Sequence, residues 1–133
     1  MARLILDTTI LVQSERGGRS WYEELPDDAD IAVAAVTIAE LLVGAELADA
    51  RRARHRRAFV AGLHELVEVE DYTGSTAVEH ARLLAHVRRS GEPRGAHDLI
   101  IAATAIANSR TLVTAGSAAR FDELPGLDVQ LVT

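Results

Sequence analysis

The sequence predicts an α/β protein, a three-layer α/β/α sandwich around a mostly parallel central sheet of about five strands. Short apolar runs alternate with segments of helical periodicity along the whole chain, which is typical of parallel strands joined by crossover helices. The 133 residues contain no repeat and no long linker, and 48% of them are hydrophobic. One domain over residues 1–133 is therefore expected, with enough apolar surface for a single core.

The predicted strands are short apolar segments that end at polar residues or at turn residues. Such segments suit buried strands of a parallel sheet, which lack the alternation of half-exposed strands. The five segments are residues 3–7, 31–34, 67–69, 111–114 and 129–132.

The predicted helices lie between these strands. A first helix follows Thr8 and ends before Gly17; others run from Thr37, over 49–66, over 73–90, and from Asp98. The last is apolar nearly all round, which indicates burial. The helix over 73–90 is expected to turn one apolar face inward, made of Val78, Ala81, Leu84, Ala85 and Val87.

Composition excludes several kinds of chemistry. The chain has no cysteine, and all 14 basic residues are arginine. Disulfides, thiolate metal sites, cysteine nucleophiles and lysine-dependent mechanisms are therefore ruled out. No apolar run suggests a signal peptide or a membrane span, so a cytoplasmic protein is expected.

Charge is unevenly distributed along the chain. The net charge of −6 does not favour nucleic-acid binding by the protein as a whole, because phosphate contacts dominate that affinity. Arginines nevertheless cluster at 51–57 and at 88–94. Each cluster is either a solvated helix face or a positive rim for a polyanion.

Three acids are placed where a parallel sheet forms its sites, outside the carboxyl ends of strands. Asp7 ends the first strand, Glu40 lies early in the helix after the second, and Asp98 begins the helix before the fourth. Clustered carboxylates repel one another unless a cation or a proton is bound. Mg²⁺ or Mn²⁺ fits oxygen ligands of this kind, and such ions promote phosphodiester hydrolysis.

Each acid also has a structural alternative. Thr37 and Glu40 fit a capping box, in which the glutamate reaches back to the start of its own helix. Asp98 fits a helix cap or an acid at the positive end of a helix. Asp7 fits an Asx-turn with Thr9. All three alternatives remain open on the sequence alone.

Other enzymes with an aspartate after the first strand fit poorly. A haloacid-dehalogenase-like phosphatase needs a second acid at position 9, which is Thr9. That class and the receiver domains of response regulators also need a lysine, which the chain lacks. A dinucleotide-binding fold needs a glycine-rich first turn, and here that turn is Asp-Thr-Thr.

Four segments together resemble the PIN-domain ribonucleases, and among them the VapC-type toxins of bacterial toxin–antitoxin pairs. They are Leu-Ile-Leu-Asp-Thr-Thr-Ile-Leu-Val at 4–12, Val-Thr-Ile-Ala-Glu-Leu-Leu-Val-Gly at 36–44, His-Asp-Leu-Ile-Ile-Ala-Ala-Thr-Ala at 97–105, and a closing segment with Leu-Val-Thr at 112–114, Phe121 and Leu-Pro-Gly-Leu at 124–127. The resemblance runs from about residue 3 to residue 132.

The resemblance implies a homodimeric, Mg²⁺- or Mn²⁺-dependent endoribonuclease that acts as the toxin of a type II pair. Its implied partner is a VapB-like antitoxin that covers the acidic groove. Asp7, Glu40 and Asp98 would be the catalytic, metal-binding acids, and Thr9 and Thr114 would line the site.

One position departs from the family pattern. Many members carry a fourth acid or an asparagine two residues after the threonine that matches Thr114, and here that place is Gly116. Ser117, Asp122 or water would have to substitute, and Asp122 is expected to lie outside the site. The departure keeps a second hypothesis open, a non-catalytic PIN-like scaffold that only binds an antitoxin.

The second arginine cluster is the predicted contact for the RNA backbone. Arg89 and Arg94 precede the Asp98 helix and are therefore expected to lie nearer the acids than the first cluster does. An acidic metal site needs nearby positive charge to hold a polyanion.

Overall fold

The computed structural model describes residues 1–18, 20–116 and 119–132. Its five strands are parallel and form one sheet in the order β3-β2-β1-β4-β5. The strands are β1 (Arg3–Leu6), β2 (Asp30–Ala34), β3 (Glu68–Glu70), β4 (Thr111–Thr114) and β5 (Val129–Leu131). The predicted α/β class and the five predicted strands are confirmed, to within a residue or two at each end.

Five α-helices connect the described strands: α1 (Thr8–Glu15), α2 (Ala35–Leu47), α3 (Ala50–Leu66), α4 (Gly74–Ser90) and α5 (Ala96–Ala107). Short 3₁₀ turns follow at Trp21–Glu24 and Phe121–Glu123. Among the described residues, none of these helices has the length and apolarity needed to cross a bilayer.

The sheet separates two apolar clusters, which gives the three layers. Side chains alternate along β1, so that Leu4 and Leu6 face one layer and Ile5 faces the other. The first layer contains α1, α2 and α3; the second contains α4 and α5. The β1 side chains are at most 3% exposed from Leu4 to Leu6, as expected for the central strand of a sheet covered on both faces.

The order of the strands puts a switch point beside β1. The chain moves outward from β1 to β2 and β3, then returns to the other side of β1 as β4. The backbone N–H of Asp7 donates to the carbonyl of Val113 in β4 at 2.9 Å. Residues at the carboxyl ends of β1 and β4 therefore border the crevice where open α/β sheets bind ligands.

The inward face predicted for α4 is right in part, because Leu84 and Val87 pack half-buried against the core. Val78 is 54% exposed and Ala81 is exposed too, whereas the buried positions are Thr76 and Leu83. The Thr76 hydroxyl bonds to Thr73 in a capping box, so a polar residue enters the core with its hydrogen bonds satisfied. A pattern based on apolar residues alone assigns Thr76 to the outside of α4. The predicted inward face is therefore rotated about the helix axis relative to the observed one.

A buried ion pair joins the three helices of the first layer. The Arg56 guanidinium in α3 bonds both Glu15 carboxylate oxygens at 2.7–2.8 Å through Nε and donates to the Leu41 carbonyl in α2 at 3.1 Å. The Glu15 side chain is 7% exposed. Gly44 makes room for this arginine, because a Cβ there would lie 2.5 Å from Arg56 Nη1.

Replacing Gly44 with Ala is expected to destabilise the protein by about 1–2 kcal/mol, because Arg56 must leave a buried carboxylate. The matched control is Gly62→Ala in α3, where a Cβ meets nothing within 4 Å; that change should stabilise by about 0.5–1 kcal/mol. Urea unfolding measures both. Equal stabilisation by the two variants would contradict the proposed need for space at residue 44.

Candidate active site

Asp7 is the most firmly held of the three predicted acids. Its side chain is buried, at 3% exposure, directly after β1. Oδ1 accepts from the Thr8 backbone N–H at 2.8 Å, and Oδ2 accepts from the Thr9 and Thr114 hydroxyls, both at 2.8 Å. These bonds come from α1 and from the end of β4, so they fix the carboxylate at the switch point.

Glu40 faces the same edge from α2. Its Oε1 accepts from the Thr8 hydroxyl at 2.9 Å, and its Oε2 lies 3.4 Å from His97 Nδ1. The Thr8 hydroxyl also lies 3.3 Å from the Thr37 hydroxyl. Thr8 therefore stands between the first and second acids and orients the second.

Asp98 lies in the first turn of α5 and completes the group. Partial burial, then the negative charges of Asp7 and Glu40, raise the pKa of Asp98 above its ordinary value of 3.8, against the opposing effect of His97 and Arg94. Because carboxylates shift each other's pKa only at short range, the three acids share one electrostatic environment. The sequence placed them at one edge, and the structure brings them together there.

The structural alternatives for the acids have separate outcomes. Helix α2 begins at Ala35 with Ala34 as N-cap, so Thr37 is not a cap and the capping box with Glu40 is wrong. Helix α5 begins at Ala96, two residues before the predicted start, and its N-cap is Gly95, so Asp98 does not cap it. Asp7 does cap α1 through the Thr8 N–H. Capping and ligand binding are compatible at Asp7, since a carboxylate has further lone pairs.

The predicted lining residues surround Asp7. The Thr9 hydroxyl accepts from the Ala115 N–H at 3.3 Å, and the Thr114 hydroxyl accepts from the Gly116 N–H at 3.4 Å. Gly116 is therefore hydrogen-bonded to Thr114, the same threonine whose hydroxyl donates to Asp7. Ser117 lies outside the described residues. Asp122 is exposed in its 3₁₀ turn, as expected from the sequence.

Sequence reasoning missed the residues that orient the acids. Thr8 and Thr37 were hidden because a threonine near a helix start suggests only capping, and His97 was noted only as part of a motif. Gly95 carries no sequence signal beyond the tendency of glycine to interrupt helices. A Cβ at residue 95 would lie 2.8 Å from Asp98 Oδ2, so the glycine leaves room for this carboxylate.

Gly95→Ala is expected to displace the Asp98 carboxylate and to lower RNA cleavage about tenfold, with little change in melting temperature because the side chain can rotate away. Gly74→Ala is the matched control, since a Cβ at Gly74, likewise at a helix N-terminus, meets nothing within 4 Å. Steady-state cleavage and thermal unfolding of both variants provide the measurements. Unchanged cleavage by Gly95→Ala would show that the space above Gly95 does not position Asp98.

The structure contradicts a direct RNA contact by Arg94. Its side chain is 6% exposed and donates to the carbonyls of Ala119 and Arg120 at 2.7 and 2.6 Å. It also bonds Glu123 at 3.2 Å. Arg94 therefore fastens the segment after β4 to the approach to α5, which a sequence pattern of adjacent arginines does not reveal. Arg89 is exposed at the last turn of α4, and its RNA contact stays a prediction.

The donor set fits a hard divalent cation. The polar groups around the acids are carboxylates and hydroxyls, and oxygen ligands are those that Mg²⁺ and Mn²⁺ prefer. Within the part of the chain that the structure describes, no group of three or more His, Asp or Glu side chains is arranged closely enough to hold a metal ion by itself. Mg²⁺ usually keeps several waters and takes only one or two carboxylates, so a partial protein shell is sufficient.

A parallel sheet of this order, with acids directly after β1, within α2 and in the first turn of α5, defines a nuclease-type site of the PIN class. The PIN domain family model matches residues 4–127 of the chain. The chain belongs to the PIN domain family.

Two curated relatives have names that specify a kind of nuclease. Ribonuclease VapC1 of Rickettsia felis is 27% identical over 131 residues, covering 98% of this chain and 96% of its own length. The tRNA(fMet)-specific endonuclease VapC of Salmonella typhimurium is 30% identical over 98 residues, covering 74% of this chain and 72% of its own.

Solved structures share the fold over nearly the full chain. VapBC2 of Rickettsia felis, crystallised with a DNA fragment from its promoter, aligns with a TM-score of 0.87 at 24% identity, covering 98% of this chain and 99% of that one. VapBC-5, a toxin–antitoxin system of Mycobacterium tuberculosis, aligns with a TM-score of 0.79 at 27% identity, covering 99% and 100%.

Proposed function

We propose that this chain is a metal-dependent endoribonuclease, the toxin of a type II toxin–antitoxin pair, which hydrolyses RNA phosphodiester bonds at the site of Asp7, Glu40 and Asp98. The observation that carries the proposal is the grouping of three carboxylates at a switch point, where Thr8 bonds both Asp7 and Glu40. Partial burial, and then the charges of Asp7 and Glu40, raise the pKa of Asp98. The PIN family match and relatives named as ribonucleases support the same reaction class.

The three acids would hold Mg²⁺ or Mn²⁺, which when bound neutralises charge on the phosphodiester and activates a water. The chain's own contribution is orientation. Thr8, Thr9 and Thr114 occupy the inward lone pairs of Asp7 and Glu40, which leaves the remaining carboxylate lone pairs for a ligand. Because these partners are hydroxyls and a backbone N–H, they fix direction without adding charge.

The test is cleavage of a labelled RNA mixture by the purified chain. Excess chelator should lower the rate more than 100-fold, and added Mg²⁺ or Mn²⁺ should restore it. Undiminished cleavage in excess chelator would overturn the mechanism.

One observation, the glycine at position 116, favours the alternative hypothesis of a non-catalytic scaffold. A scaffold would bind its antitoxin without cleaving RNA. Expression of the chain alone in a bacterial host distinguishes the two: an enzyme should arrest growth, and Asp7→Ala should relieve the arrest. Growth unaffected by the folded wild-type chain would favour the scaffold.

Partner and assembly belong to the same proposal. Of the two solved neighbours described above, one is named as a VapBC toxin–antitoxin system and the other as VapBC2 bound to promoter DNA, which supports a VapB-like antitoxin as partner. The family resemblance implies a homodimer, and a cytoplasmic location is the default expectation from composition. Light scattering of the purified chain tests for the homodimer. Light scattering of the chain mixed with the product of the neighbouring gene tests for the antitoxin complex.

A further inference from the structure

A basic cleft lies next to the acidic site. It occupies about 850 Å³ where the ends of α1 and α2 meet the first two turns of α3. Five guanidinium side chains line it, against the carboxylates of Glu15 and Asp49 alone: Arg16, Arg51, Arg52, Arg54 and Arg56. In a chain of net charge −6, this is a pronounced local excess of positive charge.

Most of that positive charge is not used by the fold. Glu15 forms an ion pair with Arg56. Asp49 caps α3, and its Oδ2 lies 3.8 Å from Arg52 Nε. Within residues 1–18, 20–116 and 119–132, Arg16, Arg51 and Arg54 have no hydrogen bond or ion pair through their side chains. The alternative of a simple solvated helix face does not explain why unpaired guanidiniums surround one concavity.

The cleft continues the active site along α2. Gly44 lines the cleft one turn beyond Glu40, a rise of about 6 Å along the helix axis. Arg56 donates to the carbonyl of Leu41, the residue after Glu40. Residues four apart share a helix face, so Glu40 and the part of the cleft that Gly44 lines lie on the same face of α2.

We propose that this cleft, which we call the arginine cleft, binds backbone phosphates of the RNA substrate a few nucleotides from the cleaved bond. The proposal rests on the ribonuclease function above. Guanidinium groups bind phosphate oxygens through paired hydrogen bonds. A substrate drawn toward three carboxylates in an acidic protein needs such an anchor, and the arginine cleft begins one turn of α2 beyond Glu40. That position favours RNA over an acidic protein segment.

The variants for the test are Arg51→Gln, Arg54→Gln and both together. Arg51 and Arg54 are exposed, so the fold should be retained. The matched control is Arg82→Gln, which removes the same charge from a 70% exposed arginine in α4, away from the cleft. All are made with Asp98→Asn so that RNA is bound and not consumed.

Fluorescence anisotropy with single-stranded RNAs of about 3 to 12 nucleotides, at several salt concentrations, measures binding. For the longer RNAs the double variant should bind about tenfold more weakly. Its salt slope should fall by about 1.4, or about 0.7 for each lost phosphate contact. The shortest RNA should bind equally to all proteins, and Arg82→Gln should stay within about twofold of the parent.

Cleavage by the same variants with Asp98 restored separates this inference from the proposed function. The double variant should raise KM for long RNA and leave kcat unchanged, because the cleft touches no reacting atom. Wild-type protein that binds long RNA through the cleft without cleaving it would sink the ribonuclease function alone. Unchanged RNA affinity and salt slope in the double variant would overturn the cleft assignment, as would weakened binding of an octa-glutamate peptide with RNA binding intact.

Discussion

Asp98→Asn is expected to lower RNA cleavage by at least about 100-fold while raising the melting temperature of the protein measured without divalent cations. Activity falls because an amide is a weaker cation ligand than a carboxylate and carries no charge. Stability rises because a neutral amide costs less to bury than a carboxylate, and because the negative charges of Asp7 and Glu40 no longer face a third one. Opposite changes in activity and stability distinguish a ligand from a residue that supports the fold.

The stability change has a defined pH dependence. The pKa of Asp98 is raised in the folded state, so folding is opposed once the pH exceeds the ordinary value of 3.8 and the unfolded chain ionises first. The penalty grows until the pH passes the raised folded pKa and is constant above it. The melting temperature of Asp98→Asn should therefore exceed that of the wild type at pH 7, and the difference should shrink toward pH 4.

Asp7→Asn is the informative companion. An asparagine keeps Oδ1 for the Thr8 N–H and turns its NH₂ toward the Thr9 and Thr114 hydroxyls, which accept as well as donate. Cleavage should fall as far as in Asp98→Asn, with the melting temperature changed by only a few degrees. Full cleavage by both variants would mean that neither acid takes part in the reaction.

Gly116→Asp is expected to lower the Mn²⁺ concentration for half-maximal cleavage by about tenfold, because a fourth carboxylate near Asp7 adds a protein ligand. The backbone at residue 116 accepts a side chain. Gly116 is absent from the described glycines with positive φ, which are Gly17, Gly91 and Gly126, and a Cβ there meets nothing within 4 Å.

Two controls accompany this variant. Gly116→Ala adds the Cβ without the carboxylate and should leave the metal requirement unchanged. Asp122→Asn tests the exposed acid and should be silent; loss of cleavage there would mean that the segment after β4 brings Asp122 inward. A Gly116→Asp protein that melts normally and needs as much Mn²⁺ as the wild type would show that the fourth position does not limit the reaction.

The sheet and the place of the acids could be predicted because they depend on local patterns. Runs such as Leu4–Leu6 and Leu112–Val113 are apolar without alternation, so burial on both faces follows from sequence. Asp7, directly after such a run, is therefore expected at one edge of the sheet, and the helices that carry Glu40 and Asp98 adjoin the same strands. Helix starts were less accessible: α5 begins at Ala96 because a glycine takes the N-cap position, although Asp98 is the better capping residue.

The finer arrangement of the site depends on contacts between distant segments. Arg94 looks like a surface arginine next to others, and only its burial against the carbonyls of Ala119 and Arg120 reveals its role. Thr8 contacts Glu40 across 32 residues, and Gly95 is needed because a carboxylate lies above it. No periodicity encodes such contacts, since each follows from packing already in place.

The bond between Thr114 and Asp7 joins positions 107 residues apart, and this separation sets an order of events during synthesis. Ribosomes add about 5–20 residues per second, so Asp7 leaves the exit tunnel many seconds before its partner on β4 exists. Until then the edge of β1 that later pairs with β4 has no neighbour, and the carboxylate lacks one of its anchors. The cleavage centre therefore matures late in translation, and ribosome-bound chains that end before β4 should be inert toward RNA.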